Sequence, residues 1–312
     1  MELRPLGFGE IFDRSVTLYI RNFVPFAAIV AVLIVPLAIL QYVIDLAAQP
    51  QFDVMLHQIQ HPGSLPSSSI PTFFDSPWIV LVVLVMMLMA YIMWPFALNA
   101  VAVGVARLYR GRRVEFRQCY EVALRRWPQI LGMIGIDVLV LSGWYGAFLV
   151  AVMIVVFVAV ALGTLSSALG IWFGVIFGIV ALLAVIPVLA PLVVALSFAM
   201  YAAVIEERPV VASLVLGFAR VFNRAEFWRS VLFSVAAFAV LAGGSAVVSV
   251  VGILAAFAHL PVLEAGIDAL ARLIVAPFGA VLIAVYYFDV RIRREAYDLE
   301  ASLERLAAIQ PA

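Results

Sequence analysis

Residues 203–235 read AVIEERPVVASLVLGFARVFNRAEFWRSVLFSV, and they contain both kinds of helix from which this chain is built. Pro209 stands where a helix would begin, because its fixed φ angle suits the first turn. Beyond it, small and polar residues recur at i, i+4, i+7 and i+11 with apolar residues on the other side, which predicts an amphipathic helix. Those four residues are Ser213, Gly217, Arg220 and Arg224. Phe227 and Trp228 follow as interfacial aromatic residues, and a long apolar run begins there.

The same order of a polar-striped helix and an apolar run occurs twice more in the chain. A shift of 104 residues places Arg21 on Arg125, and a shift of 203 residues places it on Arg224. The N-terminal stripe consists of Glu10, Arg14, Thr17 and Arg21, and the middle one of Gln118, Glu121 and Arg125. We therefore expect three amphipathic helices along the membrane surface. Their expected ranges are Glu10–Arg21, Val114–Arg125 and Val210–Asn223.

The composition is that of a membrane protein. Hydrophobic residues make up 66% of the 312 residues and charged residues 12%, and the mean hydropathy is +1.15. A soluble domain of this length needs a charged surface that the chain lacks. Six runs are long and apolar enough to cross about 30 Å of hydrocarbon. The predicted fold is an all-α membrane protein with six transmembrane helices in three hairpins, each preceded by a cytoplasmic amphipathic interfacial helix.

We expect a single membrane domain over residues 1–312 that contains an internal repeat. The repeat units are residues 1–106, 107–203 and 204–290, followed by a charged amphipathic tail over residues 291–312. The second span of each unit contains one of three comparably placed prolines: Pro95, Pro191 and Pro277. The fourth span also contains two overlapping G-x-x-x-G steps, which predict close packing of helices, at Gly170, Gly174 and Gly178.

The distribution of arginine predicts the orientation in the membrane. The chain has no lysine, and every arginine except Arg272 falls on the side of the N-terminus. The opposite loops carry acidic residues instead: Asp53, Asp75, Glu264 and Asp268. Because basic residues concentrate on the cytoplasmic side, we expect a multi-pass protein of the bacterial inner membrane with cytoplasmic N- and C-termini.

One acid and one amide stand out well inside the predicted spans. Asp137 is the one acid well inside a span, and Asn99 lies at a similar depth on another span. A buried acid in a membrane needs a partner, so a protonated Asp137 bonded to Asn99 would hold two helices together. An ionised Asp137 would instead indicate an ion or proton path.

The long loop that follows the first span contains a weak metal-binding pattern. Asp53, His57 and His61 recur every four residues, and a helix there would align them as ligands. His259 would lie on the same side of the membrane. The alternative is a short interfacial helix that ends at Pro62 and binds no metal.

Catalytic and nucleic-acid-binding patterns are absent from the sequence. It contains no G-x-S-x-G, Walker or H-E-x-x-H motif, so we expect neither an enzyme nor a cofactor. The arginines stand beside aromatic residues that suit a bilayer surface, which favours anionic lipid headgroups over nucleic acid. The expected headgroup contacts are Arg14, Arg21, Arg125, Arg220 and Arg224.

Three stretches carry a resemblance to a known family. They are LRPLGFGEIFDRSVTLYIRNF at residues 3–23, VIEERPVVASLVLGFARVFNRAEFWRSVLF at 204–233 and YYFDVRIRREAYDLE at 286–300. With these stretches the chain resembles a widespread group of prokaryotic integral membrane proteins, named for the membrane domain attached to some glycerophosphodiester phosphodiesterases. The phosphodiesterase barrel, with its metal-binding acids and histidine pair, is missing, so the resemblance implies a membrane domain and no catalytic residue.

The expected function is that of a non-enzymatic membrane module. Its cytoplasmic amphipathic helices would bind anionic lipid, a partner protein or both, and a homo-oligomer is compatible with this role. The alternative is a small transporter or lipid-handling protein with a central cavity near Asp137 and Asn99. A polar-lined cavity that reaches both residues favours the alternative, and a tightly packed centre favours the module.

The predicted orientation can be tested with single cysteines in a Cys119→Ala background. We expect a membrane-impermeant maleimide to label the Ser68→Cys variant in spheroplasts, because the loop after the first span is placed outside. The Ser302→Cys variant should react only after the membrane is opened. The reverse labelling pattern would contradict the orientation.

Overall fold

A computed structural model describes residues 4–60, 77–257 and 261–295 of the chain. Within these ranges the backbone forms nine α-helices and no β-strand. In chain order the helices are α1 (Phe8–Arg21), α2 (Phe23–Gln60), α3 (Pro77–Tyr109), α4 (Phe116–Arg125), α5 (Trp127–Leu165), α6 (Ser167–Ile205), α7 (Val210–Val221), α8 (Phe227–Phe257) and α9 (Pro261–Glu295).

Six of the described helices are long and apolar enough to cross a membrane. The candidate spans on α5 and α6 contain 39 residues each, whereas a crossing needs about 20. These two helices therefore tilt in the bilayer or project beyond it. The chain is a multi-pass α-helical membrane protein, which confirms the six-span fold class that the sequence predicts.

The three short helices, α1, α4 and α7, lie at one end of the bundle. The backbone N–H of Leu6, just before α1, donates a hydrogen bond of 2.6 Å to Asp289 near the end of α9. Arg126, between α4 and α5, pairs with Glu207, between α6 and α7. We call this end the short-helix face, and it comprises α1, α4, α7 and the adjoining ends of the long helices.

The breaks between short and long helices differ along the chain. Asn22 alone separates α1 from α2, and Arg126 alone separates α4 from α5, as a shift of 104 residues requires. Residues 222–226 separate α7 from α8, because the Asn223 side chain accepts a hydrogen bond of 2.9 Å from the N–H of Ala225 and forms a turn. Arg224 therefore lies in a connection and not on the helical stripe where the sequence places it.

Each long helix that ends at the short-helix face contains an interior proline 14 to 18 residues before that end. Pro95 lies in α3, Pro191 in α6 and Pro277 in α9. Helices that adjoin in sequence also touch, since α2 contacts α3, α5 contacts α6 and α8 contacts α9. These features agree with three related units, although the equivalence of the three units remains a prediction.

α9 is the central helix of the short-helix face. It contacts α1, α2, α3, α6 and α8. In the most apolar part of its span, 50% of the residues are buried by protein, compared with 0% in the corresponding part of α5. Large aromatic residues fill its buried half, among them Tyr286, Tyr287 and Phe288. The core of the protein therefore lies around α9, while the apolar side chains of α5 face outward, as on a helix that lipid surrounds.

Glycines allow the closest helix contacts in this fold. A Cβ atom on Gly170 would lie 2.6 Å from the carbonyl oxygen of Ala159, so α5 and α6 cross in direct backbone contact beside their connection. The close packing predicted for the G-x-x-x-G steps is thus found at Gly170. It is not found at Gly178, whose Cβ would meet no atom within 4 Å.

The contact between α7 and α6 is tighter still. A Cβ atom on Gly217 would lie 2.5 Å from the carbonyl oxygen of Ala195 and 2.6 Å from the backbone nitrogen of Ala199. Neither backbone atom can move without shifting α6. The buried stripe of α7 therefore has to contain glycine at this position.

We predict that Gly217→Ala lifts α7 from α6 and lowers the free energy of unfolding by about 1–3 kcal/mol. The measurement is thermal unfolding of the purified protein in detergent, followed by tryptophan fluorescence. Gly9→Ala on α1 is the matched control, since its Cβ would meet no atom within 4 Å and alanine favours a helix. Equal unfolding temperatures for G217A and the wild type would contradict the backbone contact.

Candidate functional site

Charged side chains from three helices meet under α7 at the short-helix face. Glu206, at the end of α6, pairs with Arg220 of α7 at 2.8 Å. Arg220 also pairs with Glu295 of α9 at 2.6 Å, and Arg291 of α9 approaches Glu206 at 3.5 Å. The Tyr287 hydroxyl donates a hydrogen bond to Glu206. We call these residues the α6–α7–α9 ion cluster: Glu206, Arg220, Tyr287, Arg291 and Glu295.

Burial makes this cluster strong and keeps it charged. Arg220 is only 2% exposed. Burial by itself would raise the pKa of Glu206, but the hydrogen bond and charge of Arg220, together with the charge of Arg291, hold this pKa below its ordinary value of 4.5. Burial would lower the pKa of Arg220, but Tyr287 and the two carboxylates raise it. Both partners are therefore ionised at neutral pH.

A second charged cluster fastens the N-terminal segment to α8 and α9. Asp289 is fully buried and pairs with Arg229 at 2.6 Å and with Arg293 at 3.0 Å. The same carboxylate accepts the hydrogen bond from the N–H of Leu6. The carbonyl oxygen of Leu6 accepts a hydrogen bond of 3.1 Å from Arg229. Both backbone groups of Leu6 are thus satisfied by charged side chains.

The structure corrects the expected role of Arg220. The sequence places this residue among the headgroup contacts, but its guanidinium lies inside the ion cluster and cannot reach a lipid phosphate. Arg14 is half-buried, and its guanidinium lies 5.6 Å from the centre of the Tyr109 ring. Arg21, Arg125 and Arg224 are exposed.

The orientation of α7 explains this correction. The small and polar stripe faces the protein, with Ser213, Gly217 and Arg220 all buried. The apolar side faces outward, since Val211 is 70% exposed and Val215 is 64% exposed. Periodicity predicted which residues share a side of the helix, but the polar side is the inner one.

Exposed arginines also occur in the basic block around the start of α4, outside the helical stripes. Arg112, Arg113 and Arg117 are exposed in the connection before α4 and in its first turn. Phe116 lies among them and is also exposed. Arg112 and Arg113 belong to the basic run R-G-R-R at 110–113.

A cavity of about 490 Å³ opens between α3, α5 and α6. Its walls are mainly apolar, and the residues with polar groups in its lining include Tyr91, Asp137, Ser197 and Tyr201. Among the described residues, neither the Asp137 Oδ1 atom nor the Tyr201 hydroxyl has a hydrogen-bond partner. Asp137 thus lies in an apolar pocket with its carboxyl group unpaired.

The predicted contact between Asp137 and Asn99 is not formed. The Asn99 side chain is fully buried and donates a hydrogen bond of 2.8 Å to the carbonyl oxygen of Pro95 on its own helix. Asn99 does not line the cavity that contains Asp137. The two residues were matched by depth, and a shared depth does not fix the direction in which each side chain leaves its helix.

The predicted metal ligands fall largely outside the described residues. Helix α2 extends to Gln60, so Asp53 and His57 lie on one helix, one turn apart. Their side chains, and His61 and His259 entirely, lie outside the described part of the chain. Where the structure is described, no three histidine, cysteine or acidic residues form a metal-binding group. The metal site stays a prediction.

No family model, curated protein or solved structure matches this chain. Its functional interpretation therefore depends on the geometry described above. That geometry offers two surfaces to a ligand, which are the arginine-rich short-helix face and the apolar cavity that contains Asp137. The ion clusters, in contrast, satisfy their own charges and hold the helices together.

We predict that Glu206→Gln destabilises the protein and changes how its stability depends on pH. The folded pKa of Glu206 lies below 4.5, so its ionised form stabilises the fold above that pH and loses this effect as the pH falls further. Breaking a buried ion pair costs about 3–5 kcal/mol. E206Q should therefore unfold at a lower temperature at neutral pH, with a smaller further loss below pH 4.5 than the wild type.

The matched control is Glu121→Gln on α4. Glu121 pairs with Arg125 at 3.1 Å, but both side chains are exposed, and exposed pairs contribute about 0–1 kcal/mol. Thermal unfolding in detergent between pH 3.5 and pH 7.5 measures both variants. If E206Q and E121Q follow the same curve as the wild type, the ion cluster does not stabilise the fold.

Proposed function

We propose that this chain is a non-enzymatic membrane module of the bacterial inner membrane, with cytoplasmic termini, whose short-helix face binds anionic lipid. The observation that carries the proposal is the pairing of exposed arginines with exposed apolar residues around α4. Arg112, Arg113, Arg117 and Arg125 surround a helix whose Phe116 and Leu124 side chains are exposed. Apolar side chains can enter the boundary between headgroups and acyl chains while the arginines meet phosphates.

The outward apolar sides of the other short helices support the same arrangement. Val16 and Ile20 of α1 are exposed, as are Val211 and Val215 of α7. Trp127, at the start of α5, is exposed at the level where indole rings favour the membrane interface. Helices with such surfaces are stabilised by lipid contact, because the exposed apolar area would be unfavourable in water.

Charge gives the proposed contact its preference for anionic lipid. Each basic residue near an anionic surface contributes about 1 kcal/mol, and the guanidinium group binds phosphate through two parallel hydrogen bonds. Arg272 is the one arginine of the described residues placed at the opposite end, where it pairs with Asp268 at 2.6 Å. Anionic lipid would therefore concentrate on the short-helix side of the bilayer.

The sequence supports the proposal in two further ways. The resemblance to the membrane domains attached to some glycerophosphodiester phosphodiesterases implies a membrane role in which catalysis belongs to another domain. The three units, each with one short helix, would place three similar lipid contacts around one core. A partner protein or a second copy of the chain would bind the same face.

One observation favours the alternative function, a small transporter or lipid-handling protein. The cavity between α3, α5 and α6 contains Asp137 with its carboxyl group unpaired. Most of its lining is apolar and Asn99 lies outside it, so it lacks the polar path that transport of a hydrophilic substrate requires. A hydrophobic ligand is the better match for this cavity.

The lipid contact is tested by replacing Arg112, Arg113, Arg117 and Arg125 together with glutamine. We expect phosphatidylglycerol that copurifies with the protein, quantified by native mass spectrometry, to fall about tenfold or more, since each arginine contributes about 1 kcal/mol. Phosphatidylethanolamine should change little. These side chains are exposed, so the unfolding temperature should stay near that of the wild type.

Arg272→Gln is the matched control, because it removes an exposed arginine from the opposite end. It should leave the retained phosphatidylglycerol unchanged. If the quadruple variant and the wild type retain equal amounts of phosphatidylglycerol, lipid binding by this face is contradicted. The short helices would then pack only against the protein.

A further inference from the structure

We propose that the cavity between α3, α5 and α6 binds a hydrophobic amine, a ligand with an apolar body and one ammonium group, and that Asp137 is its counter-ion. This site opens between the long helices, away from the lipid contact proposed for the short-helix face, and is independent of it. The proposal rests on two features of the cavity, which are its apolar walls and the carboxyl group of Asp137, whose Oδ1 atom has no hydrogen-bond partner among the described residues.

The walls suit an apolar body of small-molecule size. Met87 and Trp94 of α3, Ile134 and Leu141 of α5, and Leu196 of α6 supply most of the surface. The volume of about 490 Å³ falls within the range of about 300–1,000 Å³ that is usual for ligand sites. Van der Waals contacts with these walls would replace those that the hydrocarbon part of the ligand makes with lipid, so the charge has to supply the preference for this site.

Asp137 gives the cavity its preference for a cation. Among the described residues of the lining it is the only charged one. An acid at this depth in a membrane normally has a partner on a neighbouring helix. Here its Oδ1 atom accepts no hydrogen bond from the described part of the chain. An ammonium group in the cavity would supply the opposite charge.

The hydroxyl groups of Tyr201 and Ser197 do not compete with Asp137 as polar contacts. Tyr201 lines the cavity but is 1% exposed, and its hydroxyl is buried in protein. Ser197 already donates a hydrogen bond of 2.9 Å to the carbonyl oxygen of Val193. The preference of the cavity for a cation therefore depends on Asp137.

Aromatic side chains complete the environment of a cation. Tyr91 and Trp94 line the cavity on α3, the helix opposite Asp137 and Tyr201. The faces of such rings attract ammonium groups. A carboxylate and aromatic rings together stabilise a protonated amine. They provide no set of hydrogen-bond donors that could bind an anion or a sugar.

The depth of Asp137 distinguishes between two sources of an amine. Asp137 follows the start of α5 at Trp127 by nearly three turns, or about 15 Å at 1.5 Å per residue. This places its carboxyl group within the hydrocarbon core, below the headgroups, when α5 enters the bilayer near Trp127. The amine of phosphatidylethanolamine is tied to a phosphate that stays at the interface. A free hydrophobic amine carries no such group, so it is the ligand that can reach this depth.

The probe for the test is dodecylamine, which combines a primary ammonium group with one alkyl chain. Binding is measured on the purified full-length protein in nanodiscs as displacement of tritiated tetraphenylphosphonium, with empty nanodiscs subtracted. We expect dodecylamine to displace the label, while dodecanol of the same length should not compete. Competition by dodecanol equal to that of dodecylamine, or no saturable binding of the label, would overturn the proposal.

Asp137→Asn keeps the shape of the side chain and removes its charge. We expect it to weaken binding of dodecylamine by about tenfold or more, the size of a lost hydrogen bond to a charged group. The variant should fold normally, because Asp137 makes no hydrogen bond that the change removes. Asp45→Asn is the matched control, since Asp45 is a half-buried acid of a span outside this cavity.

Tyr201→Phe separates the effect of the Asp137 charge from a general effect on packing. It should leave the affinities for dodecylamine and for tetraphenylphosphonium unchanged, because the Tyr201 hydroxyl is buried in protein and does not reach a ligand in the cavity. Equal affinity of D137N and the wild type for dodecylamine would overturn the proposal. A loss of affinity in D45N as large as that in D137N would overturn it as well.

Discussion

The short-helix face depends on the burial of Arg220 between two carboxylates. Its guanidinium joins Glu206 at the end of α6 to Glu295 at the end of α9, and it is 2% exposed. A buried charge is costly unless every partner is present, so three helices must hold their ends at fixed positions. The fully buried Asp289 imposes the same requirement on the N-terminal segment, α8 and α9. Both clusters end on α9, and this is the physical reason that α9 is the central helix.

On α7 the usual orientation of an amphipathic helix is reversed. A short helix on a soluble protein turns its apolar side inward, because water covers the other side. On α7 the buried stripe is Ser213, Gly217 and Arg220, while Val211 and Val215 face outward. Lipid accepts the valines at no cost, whereas it would not accept an unpaired Arg220. The helix therefore buries the residues that need protein partners and exposes those that do not.

The sequence alone predicts the six spans and the approximate positions of the three short helices, because length, hydropathy and periodicity depend only on neighbouring residues. It does not predict the partner of Arg220, since Glu206 lies in a turn and Glu295 lies 75 residues further along the chain. Periodicity also cannot tell which side of α7 meets protein in a membrane. The expected pair of Asp137 and Asn99 was wrong for a related reason, because chain distance gives depth and says nothing about the rotation of each helix.

Tyr201 connects the cavity between α3, α5 and α6 to the α6–α7–α9 ion cluster. Tyr201 lines the cavity, and its ring packs edge-on against Tyr287 with ring centres 5.5 Å apart. Tyr287 in turn donates a hydrogen bond to Glu206 and lies under the guanidinium of Arg220. A ligand in the cavity would therefore lie beside a residue that packs directly on the ion cluster. The α5 wall of the cavity packs mainly on α6, while the clusters keep α6, α7 and α9 in place.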